Sequence, residues 1–200
     1  GQAARSARSA EALIVVISGP GGVGKDTVAK LLCAEDDRFV LSRSWTTRPP
    51  RAGEGPDAYK FVDRETFEQN VKQGHFLEWA EYHGNLYGTP VPDANDPRHL
   101  VLVIEVQGAR QILERDPENA FMLLLEPPSP DVQEQRLRGR GDDESAVQRR
   151  VAAALEELAD GRGIAHASVI NDDLNQAVGE VRRILEGRLS GDAAGSNPPQ

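Results

Sequence analysis

Lys25 stands in the run GPGGVGKDT, Gly19 to Thr27, which follows an apolar stretch and opens a helix-forming one. The spacing fits the phosphate-loop pattern G-x-x-x-x-G-K-[ST] up to its last position, where Asp26 replaces the usual hydroxyl. In such a loop the backbone N–H groups of Gly19, Pro20's neighbours Gly21 and Gly22, Val23 and Gly24 form a nest for phosphate oxygens, and the helix N-terminus favours the anion. Lys25 then reaches the β- and γ-phosphates of a nucleotide. A Gly-rich turn that merely joins strand to helix is the plainer reading, and the strand-loop-helix context outweighs it. Asp26 has two readings. An acid in the first turn suits the helix macrodipole and caps free N–H groups. A hard carboxylate oxygen also suits Mg²⁺, directly or through water, with the Thr27 hydroxyl on phosphate. The second is expected, because a bare carboxylate beside phosphates would repel them.

A second group of cations follows in SWTTRPPRAGE, Ser44 to Glu54, where Arg48 and Arg51 flank two prolines. A stiff, extended chain lets both arginines converge on one phosphate with little entropy to lose, which is recognition of a second phosphorylated molecule. Downstream, FLEWAEYHGNLYGT carries Glu78, Tyr87 and Thr89, and VIEVQG carries Glu105. A carboxylate at the carboxyl end of a core strand points into the ligand crevice of an open α/β sheet. Trp45, Trp79 and Tyr82 read as core or surface aromatics. Arg136, Arg138, Arg140, Arg149 and Arg150 form a further basic cluster. The histidines His75, His83, His99 and His166 show neither ligand nor triad spacing. Phosphoryl transfer to a phosphate oxygen needs no general base, so their lack of pattern agrees with the rest.

These groups need a scaffold, and the hydrophobic pattern supplies one. Five β-rich runs, 13–18, 39–42, 100–106, 120–125 and 167–170, alternate with helical stretches at 26–35, 64–73, 108–115, 130–139, 144–159 and 173–188. The expected fold is α/β, a three-layer phosphate-loop architecture with a parallel core sheet. Residues 12–190 are expected to form one domain, with a core of 12–42, 92–136 and 149–190, a substrate-binding arm at 43–91 and a lid at 137–148. Residues 1–11 and 191–200 read as flexible tails.

The composition narrows the partners. A net charge of −9 over 200 residues argues against nucleic acid or an anionic membrane as the partner of the whole surface. The apolar runs ALIVVI and FMLLL are too short to span a bilayer as helices. The single cysteine, Cys33, excludes an internal disulfide and fits a reducing cytoplasm. Oligomeric state is not legible.

Taken in order, GPGGVGK, SWTTRPPRAGE, AYKFV, FLEWAEYHGNLYGT, VQGA, RLRGRG and VINDDL resemble the guanylate kinase family over about residues 13–188. The resemblance implies transfer of the γ-phosphoryl group of Mg·ATP to GMP, a step of purine metabolism. It implies that Arg48, Arg51, Tyr59 and Tyr87 hold the GMP phosphate and that Ser44, Glu78, Thr89 and Glu105 read guanine. Arg136, Arg140 and Arg150 would belong to the lid and its hinges, and Asn171 would lie near the adenine of ATP. Guanine's N1–H and N2–H₂ donors match carboxylate acceptors at Glu78 and Glu105, whereas adenine would leave a buried acid unpaired. Three departures stand out: Glu105 where the family usually has Asp, a lid one residue shorter than usual, and Asp26. The last also suits kinases of ribose 1,5-bisphosphate, and a catalytically inactive protein-binding module is the alternative of a different class.

Overall fold

The computed structural model describes residues 12–82, 84–138 and 144–191. The apolar run before the phosphate loop is β1, Ile14–Ser18, buried at every position. A strand without polar alternation has to lie inside a sheet that is covered on both faces. It occupies the centre of a five-stranded parallel sheet in the order β2 (Phe39–Leu41), β7 (His99–Val103), β1, β8 (Ala120–Glu126), β9 (Ala167–Ile170). Alternate β1 side chains serve two cores. Val15 and Ile17 pack with Val28 and Leu32 of α1 (Lys25–Glu35) and with Val178 and Val181 of α6 (Leu174–Leu189). Ile14 and Val16 pack with Val106 and Ile112 of α3 (Val106–Arg115) and Leu158 of α5 (Glu144–Arg162). The expected fold class is the one observed.

The chain leaves β1 toward β2 on one side and returns through β7 before continuing to β8 on the other, so β1 stands at the reversal of strand order. A crevice opens at such a point, at the carboxyl ends of the strands. The loop after β1 and the turn after β7 therefore arrive side by side.

One boundary differs from the sequence expectation in a way that matters. The third core strand, expected to run to residue 106, ends at Val103, and Glu105 is the N-cap of α3 with extended backbone, φ −71° and ψ 160°. The Ile104 N–H to Ile17 carbonyl bond, at 3.4 Å, is the last link to β1. The β-favouring residues of VIEV suggested a longer strand, but pairing with β1 has run out there.

Residues 45–90 build a second, four-stranded sheet in the order β4 (Lys60–Phe61), β3 (Trp45–Thr46), β6 (Asn85–Pro90), β5 (Phe76–Tyr82), with α2 (Arg64–Lys72) packed on it. Its own cluster of Phe67, Phe76 and Leu86 backs the strands. Phe67 stacks on Phe76 at 4.6 Å and Trp45 meets Phe76 edge-on. Sequence reading saw one helix and irregular chain here. Asp63 caps α2 by accepting the Thr66 N–H at 2.7 Å, and Asp173 caps α6 through Gln176 N–H at 2.9 Å. Helix α4 (Pro130–Arg138) begins with Pro in its first turn and the Ser129 hydroxyl on Val132 N–H.

Residues 1–11, His83, 139–143 and 192–200 lie outside the described residues, and with them Arg140, most of RLRGRG's end and both expected tails. Among the described residues no helix is long and apolar enough to cross a membrane. His99 and His166 have structural employment: their Nδ1 atoms accept the backbone N–H groups of Leu13 and Met122.

Candidate active site

The phosphate loop is braced from beneath. Gly24 is the N-cap of α1 with φ 98°, in the left-handed region that glycine enters freely, and a Cβ on it would stand 2.6 Å from Asn171 Nδ2. Asn171 Nδ2 donates to the Val23 carbonyl at 2.8 Å, Gln133 Nε2 donates to the Gly21 carbonyl at 2.7 Å, and Arg136 Nη2 donates to the Asn171 carbonyl at 3.0 Å. With these carbonyls held from below, the loop's conformation is set before any ligand arrives. Asn171, expected near adenine, and Arg136, expected in the lid, thus both make loop-bracing contacts here.

Lys25, the first residue of α1, is 9% exposed. Its ammonium group donates to the Gly19 carbonyl and, at 3.4 Å, to that of Pro20. Asp26 and Thr27 are exposed on the first turn. Asp26 is no side-chain cap, since Gly24 holds the N-cap position, and among the described residues its carboxylate accepts no hydrogen bond and joins no ion pair. Its charge acts on the Tyr59 phenol, whose pKa is pushed up to about 12 by burial first and by Asp26 next. Asp26 therefore faces the arm across the cleft.

The arm and core enclose a cavity of about 200 Å³. Ser44, Arg48, Arg51 and Tyr59 line it from the first half of the arm, Glu78 and Tyr87 from β5 and β6, and Glu105 and Gly108 from the start of α3. Seven of the eight residues expected to hold the second phosphorylated molecule thus share one space. The eighth, Thr89, lies fully buried behind it and donates its hydroxyl to Glu78 Oε1 at 2.6 Å.

Glu78 is only 6% exposed. Burial raises its pKa above the ordinary carboxylate value, and the bonds from Thr89 hold the rise back. A Cβ at Gly108 would stand 2.9 Å from Glu78 Oε2, so any larger residue there would displace the carboxylate.

Arg48 is buried to a similar degree, and its guanidinium forms a two-pronged pair with Glu54, at 2.7 and 2.9 Å. Glu54 also accepts the Arg51 N–H at 2.9 Å. The Arg48 bond is the main reason that the Glu54 carboxyl is held down at about 2. Arg48 lies over the rings of Tyr59 and Phe61, at 5.3 and 5.7 Å. A planar fork fixed on three sides leaves little freedom to lose on meeting a phosphate.

Glu105 joins the two halves. It lines the cavity, and its Oε1 stands 3.9 Å from Lys25 Nζ. Arg150 of α5 is near enough to Tyr82 of β5 to act on it electrostatically, and it is not among the residues that line the cavity. Sequence reading gave no role to Glu54 or Gln133. Glu54 had a signal, an acid three residues beyond Arg51 within the same short motif. Gln133 had none, because its partner is a backbone carbonyl far away in sequence.

A glycine loop with a buried lysine and an arginine-lined cavity adjoin at Glu105, which is the arrangement that a phosphate-loop kinase with a phosphorylated acceptor requires. Comparison with known proteins agrees and is more specific. The family model described as guanylate kinase matches residues 11–188. The chain is 45% identical over 179 residues to the guanylate kinase of Synechococcus sp., covering 86% of this chain and 95% of that protein. It is 41% identical over 183 residues to that of Synechocystis sp., covering 88% and 95%. The crystal structure of guanylate kinase from Anaplasma phagocytophilum is similar with a TM-score of 0.72 at 28% identity, over 92% of this chain and 89% of that one. The chain belongs to the guanylate kinase family and is a nucleoside monophosphate kinase.

Proposed function

We propose that the chain transfers the γ-phosphoryl group of Mg·ATP to a phosphate oxygen of GMP, giving ADP and GDP. The observation that carries this reading is the position of Glu105, in the acceptor cavity and 3.9 Å from the phosphate-loop lysine, so that the acceptor cavity adjoins the phosphate loop. The new bond joins a GMP phosphate oxygen to Pγ, and the bond from Pγ to the β-phosphate oxygen breaks. Positioning and positive charge are the main needs of such a transfer.

The residues divide the work accordingly. The loop from Gly19 to Gly24 and Lys25 bind the ATP phosphates. Arg48, Arg51, Tyr59 and Tyr87 hold the GMP phosphate, and Ser44, Glu78 and Glu105 accept from or donate to the guanine edge, with Thr89 fixing Glu78. Arg136, Arg140 and Arg150 are assigned to the lid side, where they shield and neutralise the transferring group. Mg²⁺, when bound, would supply charge neutralisation for the phosphates. Asp26 fits it as a hard oxygen donor with no competing protein partner, and among the described residues no group of three or more acids, histidines or cysteines is placed to hold a metal alone.

Ribose 1,5-bisphosphate offers no purine donors to a buried acid such as Glu78, and an inactive binding module has no need of Lys25 beside a braced loop. A coupled assay for ADP with GMP, AMP and ribose 1,5-bisphosphate as acceptors tests the reading. GMP is expected to be the preferred acceptor by a wide margin. Turnover greatest with ribose 1,5-bisphosphate, or none with any acceptor, overturns it.

A further inference from the structure

We propose that Glu157 of α5 is a positioning residue for the proposed reaction: a neutral carboxyl group that donates a hydrogen bond to the Glu105 carboxylate and holds it between guanine and Lys25. This deepens the GMP kinase reading and rests on it for the guanine half.

The argument starts from the placement of the two acids. Glu157 stands on α5 next to Leu158, which packs in one core cluster with Val106 at the start of α3, and a hydrogen bond with the Glu105 side chain is among the causes that raise its pKa. One of its oxygens, Oε1, is buried with no hydrogen-bond partner. Glu105 lies in front of it, half exposed, lining the cavity and pairing with Lys25 at 3.9 Å. Such an unpartnered oxygen is tolerable on a neutral carboxyl and costly on an anion. Two carboxyl groups in hydrogen-bond contact also resist double ionisation, so one of them keeps a proton. Glu157 is the deeper and keeps it.

The charged and titratable groups that face Glu157 are Glu105 at the start of α3, Lys25 of α1 and Tyr82 of β5, with Arg150 on its own helix acting on Tyr82. Burial, then Glu105, push the Glu157 carboxyl up to about 9, and Lys25 opposes them. The neutral acid has one O–H to give, and the Glu105 carboxylate is the acceptor beside it. The longer reach of a glutamate at 105 is thereby pinned, and Lys25 faces one negative charge rather than two. Glu105 keeps its remaining lone pairs for the guanine donors.

Wild type, Glu157→Gln and Glu157→Ala test this. Glutamine gives the same donor without a titrating group. The folded carboxyl at about 9 lies above its ordinary 4.5, so the folded state holds the extra proton between those values. Its stabilisation is fully present below 4.5 and is lost as pH rises toward 9, whereas glutamine is indifferent. The Tm of substrate-free Glu157→Gln is therefore expected to gain on wild type as pH goes from about 5.5 to 8.5. In kinetics, Glu157→Gln keeps KM for GMP near wild type, while Glu157→Ala raises it about tenfold with KM for ATP unchanged. A carboxyl ¹³C titration of wild type is expected to show one glutamate titrating far above the usual range, and Glu157→Gln removes that signal. Parallel Tm-against-pH curves, a Glu157 titration in the ordinary range, or a glutamine variant as impaired as the alanine one overturns the proposal. If wild type phosphorylates no GMP, the guanine half falls with the proposed function, and Tm and titration still decide the proton-sharing pair.

Discussion

Arg48 is held by Glu54, by the Pro49 carbonyl and by two aromatic rings, so its guanidinium is aimed before substrate binds. Arg48→Met removes the aimed charge but keeps a long apolar side chain over Tyr59 and Phe61. Losing one preorganised donor to a reacting group costs ~2.7–4 kcal/mol, or on the order of 10² to 10³ in rate. The arm and core are expected to keep their fold, and kcat/KM for GMP near the wild-type value removes Arg48 from the site. Glu78 makes a prediction about pH. Guanine's donors require its ionised form, and burial has raised its pKa. As pH falls, GMP binding is expected to weaken at a pH above that of an ordinary glutamate, and KM for GMP to rise. Glu78→Gln turns an acceptor into a donor, so it should narrow the preference for GMP over AMP and flatten this acid limb. Wild type that uses AMP as readily as GMP contradicts the base-reading role. Asp26 is exposed and unpartnered, so Asp26→Ala is expected to cost little stability and to raise the Mg²⁺ concentration for half-maximal activity, with Asp26→Ser retaining most activity. Lower Tm with unchanged Mg²⁺ dependence makes it a helix residue only.

Helix α3 works at both ends. Its start presents Glu105 and makes room for Glu78 at Gly108. One turn further, Gln111 Nε2 donates to the Trp79 carbonyl at 3.2 Å, and Arg115 Nη1 donates to the Leu77 carbonyl at 2.6 Å. Positions four apart on a helix lie on one face, and carbonyls two apart on a strand point to one edge, so the two rungs match. They cover the free edge of β5 and tie the arm sheet to the core. Replacing both by alanine is expected to speed hydrogen exchange in β5 and β6 and to leave β1 and β8 protected; each bond is worth about 1 kcal/mol. Equal exchange in both sheets removes the clasp. None of this was readable in the sequence, since the partners are backbone carbonyls more than thirty positions away. The core elements were readable: Val15, Val28, Val178 and their neighbours follow the strand and helix periods. The arm strands were not, because β3 and β4 are two residues each and β5 mixes Phe, Trp and Tyr with Glu on both faces. The site residues came from motif spacing, which locates phosphate and base contacts but not what supports them. Gln133 under the loop holds another protein group and leaves no spacing signature, whereas Asn171 was legible through VINDDL but with another role, and Glu54 stood in the arginine motif as an acid without one.

At the scale of the molecule, the arm carries its own hydrophobic cluster, and its described ties to the core include two chain passages, the α3 clasp and Leu77 of β5 packed against the core. That construction lets the arm swing as a unit while the parallel sheet stays fixed. The charges say when it should. Arg48 is already neutralised by Glu54, but Arg51 is exposed at the cavity, and Lys25, although near Glu105, leans back on loop carbonyls. Cations on opposite sides of a cleft repel until anions come between them. ATP and GMP phosphates supply the missing charge, and closure over them excludes the water that would otherwise receive the phosphoryl group. A ligand shifts such an equilibrium only through contacts that differ between open and closed states. A bisubstrate analogue carrying the full phosphate chain is therefore expected to reduce the radius of gyration in solution scattering, whereas adenosine and guanosine together leave it unchanged. Arg51→Ala should weaken the response to the analogue without altering the profile of the substrate-free enzyme. Scattering profiles identical with and without the analogue contradict closure, and compaction by the nucleosides alone would make base burial, not phosphate neutralisation, the force that drives it.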